Sequence, residues 1–124
     1  MRKVISTDRA PSPSGPYSQA VISNNFVFVS GQLGIDPKTR IAPEGIVEQT
    51  KLALQNVKSI LEASGCSLEK VVRVGVYLRD MSLFKDMNDV YRQFFVKDPP
   101  ARTTIQAILP GDYLIEIDAI AIKD

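Results

Sequence analysis

Hydrophobic and polar residues alternate most cleanly near the C-terminal end of the chain. From Arg102 to Leu109, Arg102, Thr104 and Gln106 share one parity and Ile105, Ala107 and Leu109 the other. Successive side chains of a strand point to opposite faces, and β-branched residues favour strands, so this run reads as a strand with one apolar face. Pro99 and Pro100 hold its approach extended. Residues 113–122 repeat the pattern, with Ile115, Ile117, Ala119 and Ala121 alternating with Glu116 and Asp118. Pro110-Gly111-Asp112 between them is a turn signal, which predicts an antiparallel hairpin. A register that keeps apolar opposite apolar also keeps polar opposite polar. It places Glu116 beside Thr104 or Gln106 and close to Arg102. A guanidinium and a carboxylate on one sheet face are either a salt bridge or a site.

The same reasoning runs through the rest of the chain. Residues 3–7 form a short edge strand, followed by a Pro-, Ser- and Gly-rich loop at 10–16. The loop delivers Tyr17, Ser18 and Gln19 into an apolar run at 20–23, and Asn24-Asn25 turns it into a second run at 26–32. That second run is apolar at both parities, which predicts cover on both faces. It ends at Ser30-Gly31, where a missing side chain marks either a bulge or a close approach to the backbone. Residues 46–64 read as a helix, with Thr50, Ala53, Leu54, Val57, Ile60 and Leu61 on one stripe and Gly65 as its stop. Residues 70–79 are a third long strand, with Arg73, Gly75 and Tyr77 on one side. Asp80 or Ser82 caps a second helix running to about Phe95. Its stripe is Leu83, Phe84, Met87, Val90, Tyr91 and Phe94. Asn88 lies beside that stripe as a neutral passenger or as an amide kept for use.

The order is therefore an α+β chain, β-β-α-β-α-β-β, whose two helices cover one face of the sheet. The open face is expected to carry Arg102, Thr104, Glu116, Asp118 and Tyr77 among apolar neighbours. Self-association is the simplest cover for it.

Composition narrows the chemistry. The 124 residues make one domain, 1–124, that is 44% apolar and 23% charged, with a net charge of +1. That balance gives no electrostatic reason to expect nucleic acid or an anionic membrane. One cysteine, Cys66, excludes an internal disulfide and a cysteine metal cluster. Histidine is absent, which removes the commonest general base and metal ligand. Catalysis must then come from carboxylates, Lys, Arg, Tyr or backbone groups. The start of the chain lacks the apolar run of a signal peptide and no stretch is long enough to span a bilayer, so a cytoplasmic location is the expectation.

Seven segments together resemble the RidA (YjgF) family of enamine/imine deaminases. They are Gly15-Pro16-Tyr17-Ser18-Gln19-Ala20, Val29-Ser30-Gly31-Gln32, Asp36-Pro37-Lys38-Thr39, Val76-Tyr77-Leu78-Arg79-Asp80-Met81, Met87-Asn88-Asp89-Val90-Tyr91, Pro100-Ala101-Arg102-Thr103-Thr104 and 115–121. The resemblance implies a fold like that of the small trimeric chorismate mutases, a homotrimer with clefts between subunits, no cofactor and no metal. It implies that Arg102 binds a substrate carboxylate and that Glu116 holds and polarises the attacking water. Backbone groups of Gly31 and Thr104 support the bound acid, the Ser30–Gly31 strand end shapes the pocket, and Tyr17 and Asn88 line it. Many relatives carry Cys where this chain has Thr104, and Thr without a nearby His is a poor nucleophile.

The reaction so implied is hydrolysis of small 2-imino carboxylic acids such as 2-iminobutanoate and 2-iminopropanoate. It needs a positioned water and a proton shuttle, which one carboxylate supplies. Two other function classes stand beside it. A ribonuclease or translation inhibitor fits poorly with near-neutral charge and no histidine. A non-catalytic regulator would use the same Arg102 to bind a metabolite carboxylate.

Overall fold

A computed structural model describes residues 2–124. The elements are β1 (Arg2–Ile5), β2 (Ala20–Ser23), β3 (Phe26–Leu33), α1 (Ile46–Ala63), β4 (Val71–Leu78), α2 (Phe84–Phe94), β5 (Ala101–Gln106) and β6 (Ile115–Ile122). They make one six-stranded sheet in the order β1-β2-β3-β6-β4-β5. Every neighbouring pair is antiparallel except β4 with β5. The two-helix α+β architecture is the one read from the pattern, and the short edge strand expected at 3–7 is β1, which runs from Arg2 to Ile5.

The expected C-terminal hairpin does not form. β5 and β6 flank β4 on opposite sides, β5 parallel to it and β6 antiparallel. Alternation specifies which face a residue takes but not which strand it sits beside, and residues 107–114 are long enough to step over the end of β4. Arg79 holds that crossing in place. Its Nε donates to Tyr113 O at 2.7 Å, and its Nη2 to Leu109 O at 2.9 Å and to Gly111 O. Three carbonyls on one guanidinium make the loop a fixed connection rather than a free turn.

The core lies between the helices and one sheet face. Thr50, Ala53, Leu54, Val57, Ile60 and Leu61 of α1 are all buried, as their spacing predicts. They pack on β3 and β6, where Val27, Val29, Ile115, Ile117, Ala119 and Ala121 are buried. The helix stops where expected, with the Gly65 amide donating to Glu62 O at 3.0 Å and that of Cys66 to Leu61 O at 2.8 Å. Asp80 is the cap ahead of α2: its Oδ1 accepts from the Ser82 amide at 2.8 Å, and a 3-10 turn at Met81–Leu83 leads into the helix.

Among the described residues, none covers the opposite sheet face. Phe26 and Phe28 stand 41% and 43% exposed there with ring centroids 6.0 Å apart, and Val4, Ile105 and Ile122 are exposed on the same face. Among the described residues, no helix is long and apolar enough to cross a membrane, and no group of three His, Cys, Asp or Glu side chains is placed to hold a metal ion.

Candidate active site

Glu116 sits in β6 opposite Leu33 of β3 and Tyr77 of β4, so it shares the open face with both. The β3–β6 register shifts between Val29 and Gln32, leaving Ser30 and Gly31 outside the ladder. This bulge aims Gly31 at the carboxylate. A Cβ on Gly31 would overlap Oε2 of Glu116 and come within 2.8 Å of Cδ. Both sequence readings of Gly31 are therefore true: it is a bulge, and its missing side chain is the space the carboxylate occupies.

Burial raises the Glu116 carboxyl above its ordinary value, and the like charge of Asp118 adds to the effect. Asp118 lies two residues along on the same face and is tied down on both oxygens. Oδ1 accepts from the Gly75 amide at 3.0 Å and Oδ2 from Tyr77 Oη at 2.9 Å. Gly75 is required here because a Cβ would lie 2.5 Å from Asp118 Oδ1.

Tyr17 reaches the same region from the loop at 10–18. Buried Gln19 fixes that loop: its Oε1 accepts from the Thr7 amide at 2.7 Å, and its Nε2 donates to Thr7 O at 3.0 Å and Pro11 O at 2.9 Å. Ser30 joins in, its Oγ donating to Ser18 O at 2.6 Å. Tyr17 and Gly31 consequently line one small cleft of about 50 Å³. Gln19 had no role assigned from sequence, since a buried amide serving loop backbone leaves no periodic trace.

Arg102 and Thr104 are elsewhere. Arg102 is directly opposite Val74 and Thr104 opposite Val76, residues on the helix-covered face. The expectation that both share a face with Glu116 is thus overturned, along with the short distance it implied. The physical reason is the misplaced strand: with β4 between β5 and β6, the polar parity of β5 falls on the opposite side from that of β6. A guanidinium is tolerated on the helix side because β5 is an edge strand and the face there opens beneath α2.

Three side chains of α2 meet Arg102. Nη1 donates to Asn88 Oδ1 at 2.8 Å, and the guanidinium carbon stands 4.7 Å from the Tyr91 ring centroid and 5.6 Å from that of Phe84. Asn88 is therefore no passenger. Among the described residues Arg102 has no carboxylate partner, which removes a salt bridge to Glu116 within the chain. Arg102, Asn88, Tyr91 and Pro100 line a cleft of about 800 Å³.

Thr104 turns its Oγ1 inward, buried and without a partner. Its backbone faces the other way. The Ala107 amide donates to Leu78 O at 2.9 Å, so Ala107 faces β4; alternation then turns the N–H and C=O of Thr104 to the free edge of the sheet.

The residues expected to form one site thus fall into two separate groups. Glu116 lies on the open face with Gly31 against it and Tyr17 beside Gly31, whereas Arg102 and Thr104 lie on the helix-covered face, with Asn88 of α2 bonded to Arg102.

The chain is similar to known proteins over nearly its whole length. The family model described as Endoribonuclease L-PSP matches residues 7–123. A RutC family protein of Pyrococcus horikoshii is 51% identical over 126 residues, covering 100% of both chains. A protein of Capra hircus named 2-iminobutanoate/2-iminopropanoate deaminase is 46% identical over 125 residues, 99% of this chain and 91% of that one. The crystal structure of RidA from an Antarctic Psychrobacter superposes with a TM-score of 0.94 at 41% identity, covering 97% of this chain and 98% of that one. With a family model matched from residue 7 to residue 123 and relatives this similar across their whole length, the chain belongs to the RidA/YjgF family.

Proposed function

We propose that the chain hydrolyses 2-imino carboxylic acids, 2-iminobutanoate and 2-iminopropanoate, to 2-keto acids and ammonia, at clefts between the subunits of a homotrimer. The observation that carries this reading is the split site. An anchoring guanidinium without a carboxylate partner and a half-buried carboxylate sit on opposite faces of one sheet. A closed ring of copies sets the Arg102 half of one subunit against the Glu116 half of the next and buries the Phe26–Phe28 face in the same step. The deaminase name of the Capra hircus relative supports the choice of reaction.

In that cleft Arg102 holds the two carboxylate oxygens of the imino acid with parallel charge-assisted hydrogen bonds. The imine carbon is already electrophilic. Glu116 accepts a proton from a water as the water oxygen bonds to that carbon, giving a tetrahedral amino alcohol. The same carboxyl delivers that proton to nitrogen to complete the amino alcohol, then takes the hydroxyl proton and passes it to nitrogen as the C=O forms and the C–N bond breaks, so that ammonia leaves and the carboxylate is regenerated. A carboxyl raised by burial is suited to both transfers, because it gives and takes a proton near neutrality more readily than an exposed Glu. Edge-facing backbone groups of Thr104 and the free backbone of Gly31 complete the binding of acid and water.

The test is ammonia and keto-acid release from 2-iminobutanoate generated in the assay by a pyridoxal-phosphate dehydratase. Release faster than the spontaneous rate supports the proposal. A spontaneous rate alongside measurable keto-acid binding would favour the regulator, and cleavage of RNA would favour the ribonuclease reading behind the family description.

A further inference from the structure

We propose that Tyr91 is a positioning residue that, with Phe84 and Asn88, presets the plane and the free edge of the Arg102 guanidinium for a carboxylate ligand. The inference rests on the proposed function for the identity of that ligand, not for the geometry.

An arginine side chain on an edge strand has four rotatable bonds and a large rotamer entropy to lose on binding. Here the guanidinium is already held. Its carbon lies 4.7 Å from the Tyr91 centroid and 5.6 Å from the Phe84 centroid, so two ring faces constrain it. Asn88 Oδ1 takes one hydrogen of Nη1 at 2.8 Å, which fixes rotation within the plane. Among the described residues, Nε and Nη2 have no partner, and they form the edge that meets two carboxylate oxygens side by side.

Tyr91 is itself held. It is 6% exposed, its ring packs 4.8 Å from that of Phe95, and its position on α2 puts it one turn from Asn88. Its hydroxyl is buried with no hydrogen-bond partner. An unpaired buried hydroxyl adds nothing to the fold, so the ring face is what this side chain contributes. The stripe that defines the helix core and the platform that aims the anchor are thus the same residue, which is why periodicity alone reads Tyr91 as core.

The experiment uses the intact protein and 2-oxobutanoate, the keto-acid product, as probe, with Kd read by calorimetry and KM and kcat by ammonia release. Tyr91→Phe keeps the ring and should bind within about two-fold of wild type, at equal or higher Tm. Tyr91→Leu removes the ring face and should weaken Kd and raise KM by about ten-fold, with kcat changed less. If Tyr91→Leu does not fold, Phe84→Leu at a half-buried position takes its place, with about three-fold expected. A folded Leu variant with wild-type Kd and KM overturns the inference and leaves the deaminase reading intact. Loss of binding in Tyr91→Phe equal to that in Tyr91→Leu also overturns it, because the hydroxyl would then be the contact. A wild type that binds 2-oxobutanoate in a Tyr91-dependent way but releases no ammonia sinks the deaminase reading and supports the inference.

Discussion

Arg102 and Glu116 project from opposite faces of the sheet, on the two strands that flank β4. Arg102 pairs with Val74 and Glu116 with Tyr77, positions three apart on one strand and hence of opposite parity. No side-chain motion within one subunit joins them. Each is nevertheless set up in advance: one on an amide and two aromatic rings, the other against a glycine bulge and a tethered aspartate.

The contact between Gly31 and Glu116 yields the first prediction. Gly31→Ala puts a methyl group where Oε2 lies, so the carboxylate must move. Overpacking of this kind costs about 1–3 kcal/mol, which a fold of this size survives. A displacement near 1 Å at the reacting group costs about a hundred-fold in rate. Gly31→Ala should therefore stay folded by circular dichroism while kcat/KM for 2-iminobutanoate falls by about that factor. Near-normal turnover would mean that the carboxylate position is not critical.

Glu116→Gln separates a site from a salt bridge by its pH dependence. The carboxyl is raised by burial, then by Asp118, so folding favours its protonated form. The stability it contributes is present below the ordinary carboxylate range and is lost as pH rises through its higher folded value. Gln is uncharged throughout. The variant should match wild type in Tm near pH 4 and equal or exceed it at pH 7, while deamination falls by about a hundred-fold or more. Wild-type activity should decline on acidification at a pH above that of an exposed Glu. A variant less stable at pH 7 would show the carboxylate to be held by a cation, as in an intersubunit ion pair.

How far the sequence reveals this arrangement depends on which interactions are periodic. The helix stripes, the buried parities and the uncovered face follow from spacing of 3.6 or 2, and α1 buries the six residues expected of it. Strand order does not follow, because alternation is blind to which strand lies alongside. The crossing over β4 is set by Arg79 and three loop carbonyls, contacts with no repeating signature. Pairing β5 directly with β6 puts Arg102 and Thr104 on the face of Glu116, whereas β4 lies between them and reverses that face while the alternation within β5 stays as read. Asp118 was legible as a polar residue on the open face, but its tether to Gly75 and Tyr77 was not, since it needs two neighbouring strands in register.

Thr104 holds an inward, unpartnered hydroxyl, which makes a clear case. Burying a hydroxyl without a hydrogen bond costs about 1–3 kcal/mol. Thr104→Val should accordingly be at least as stable as wild type, and both it and Thr104→Cys should retain most of the rate, because only the edge-facing backbone is used. An intact oligomer with collapsed activity in Thr104→Val would give the hydroxyl a direct role.

Arg102→Lys keeps the charge and removes the fork. A purely electrostatic anchor tolerates the exchange. The proposed anchor does not, because Lys cannot present two parallel donors, cannot stack its plane on Tyr91 and Phe84, and loses a charge-assisted bond of about 1.5–3 kcal/mol. The expectation is a folded protein whose kcat/KM falls by about a hundred-fold or more on both imino acids. Unchanged kinetics with a lower Tm would return Arg102 to a structural role.

The most direct consequence of the split site is complementation. Arg102→Ala and Glu116→Gln should each be inactive alone, since every cleft lacks one partner. Mixed within one ring they behave differently. Any trimer containing both kinds of subunit has one junction where an intact Glu116 faces an intact Arg102, because a closed three-fold ring passes once from the first kind to the second in each direction. That junction is one of its three clefts. With equal amounts and random exchange, about three-quarters of trimers are mixed, so the mixture should regain about a quarter of wild-type activity. The measurement is ammonia release after the two variants are unfolded together and refolded, with each refolded alone as control. Sedimentation of the same samples reports whether trimers form. Recovery near a quarter places Arg102 and Glu116 of each site on different subunits. Trimers that assemble without regaining activity would put both groups of each site in one chain, against the strand order and parity seen here.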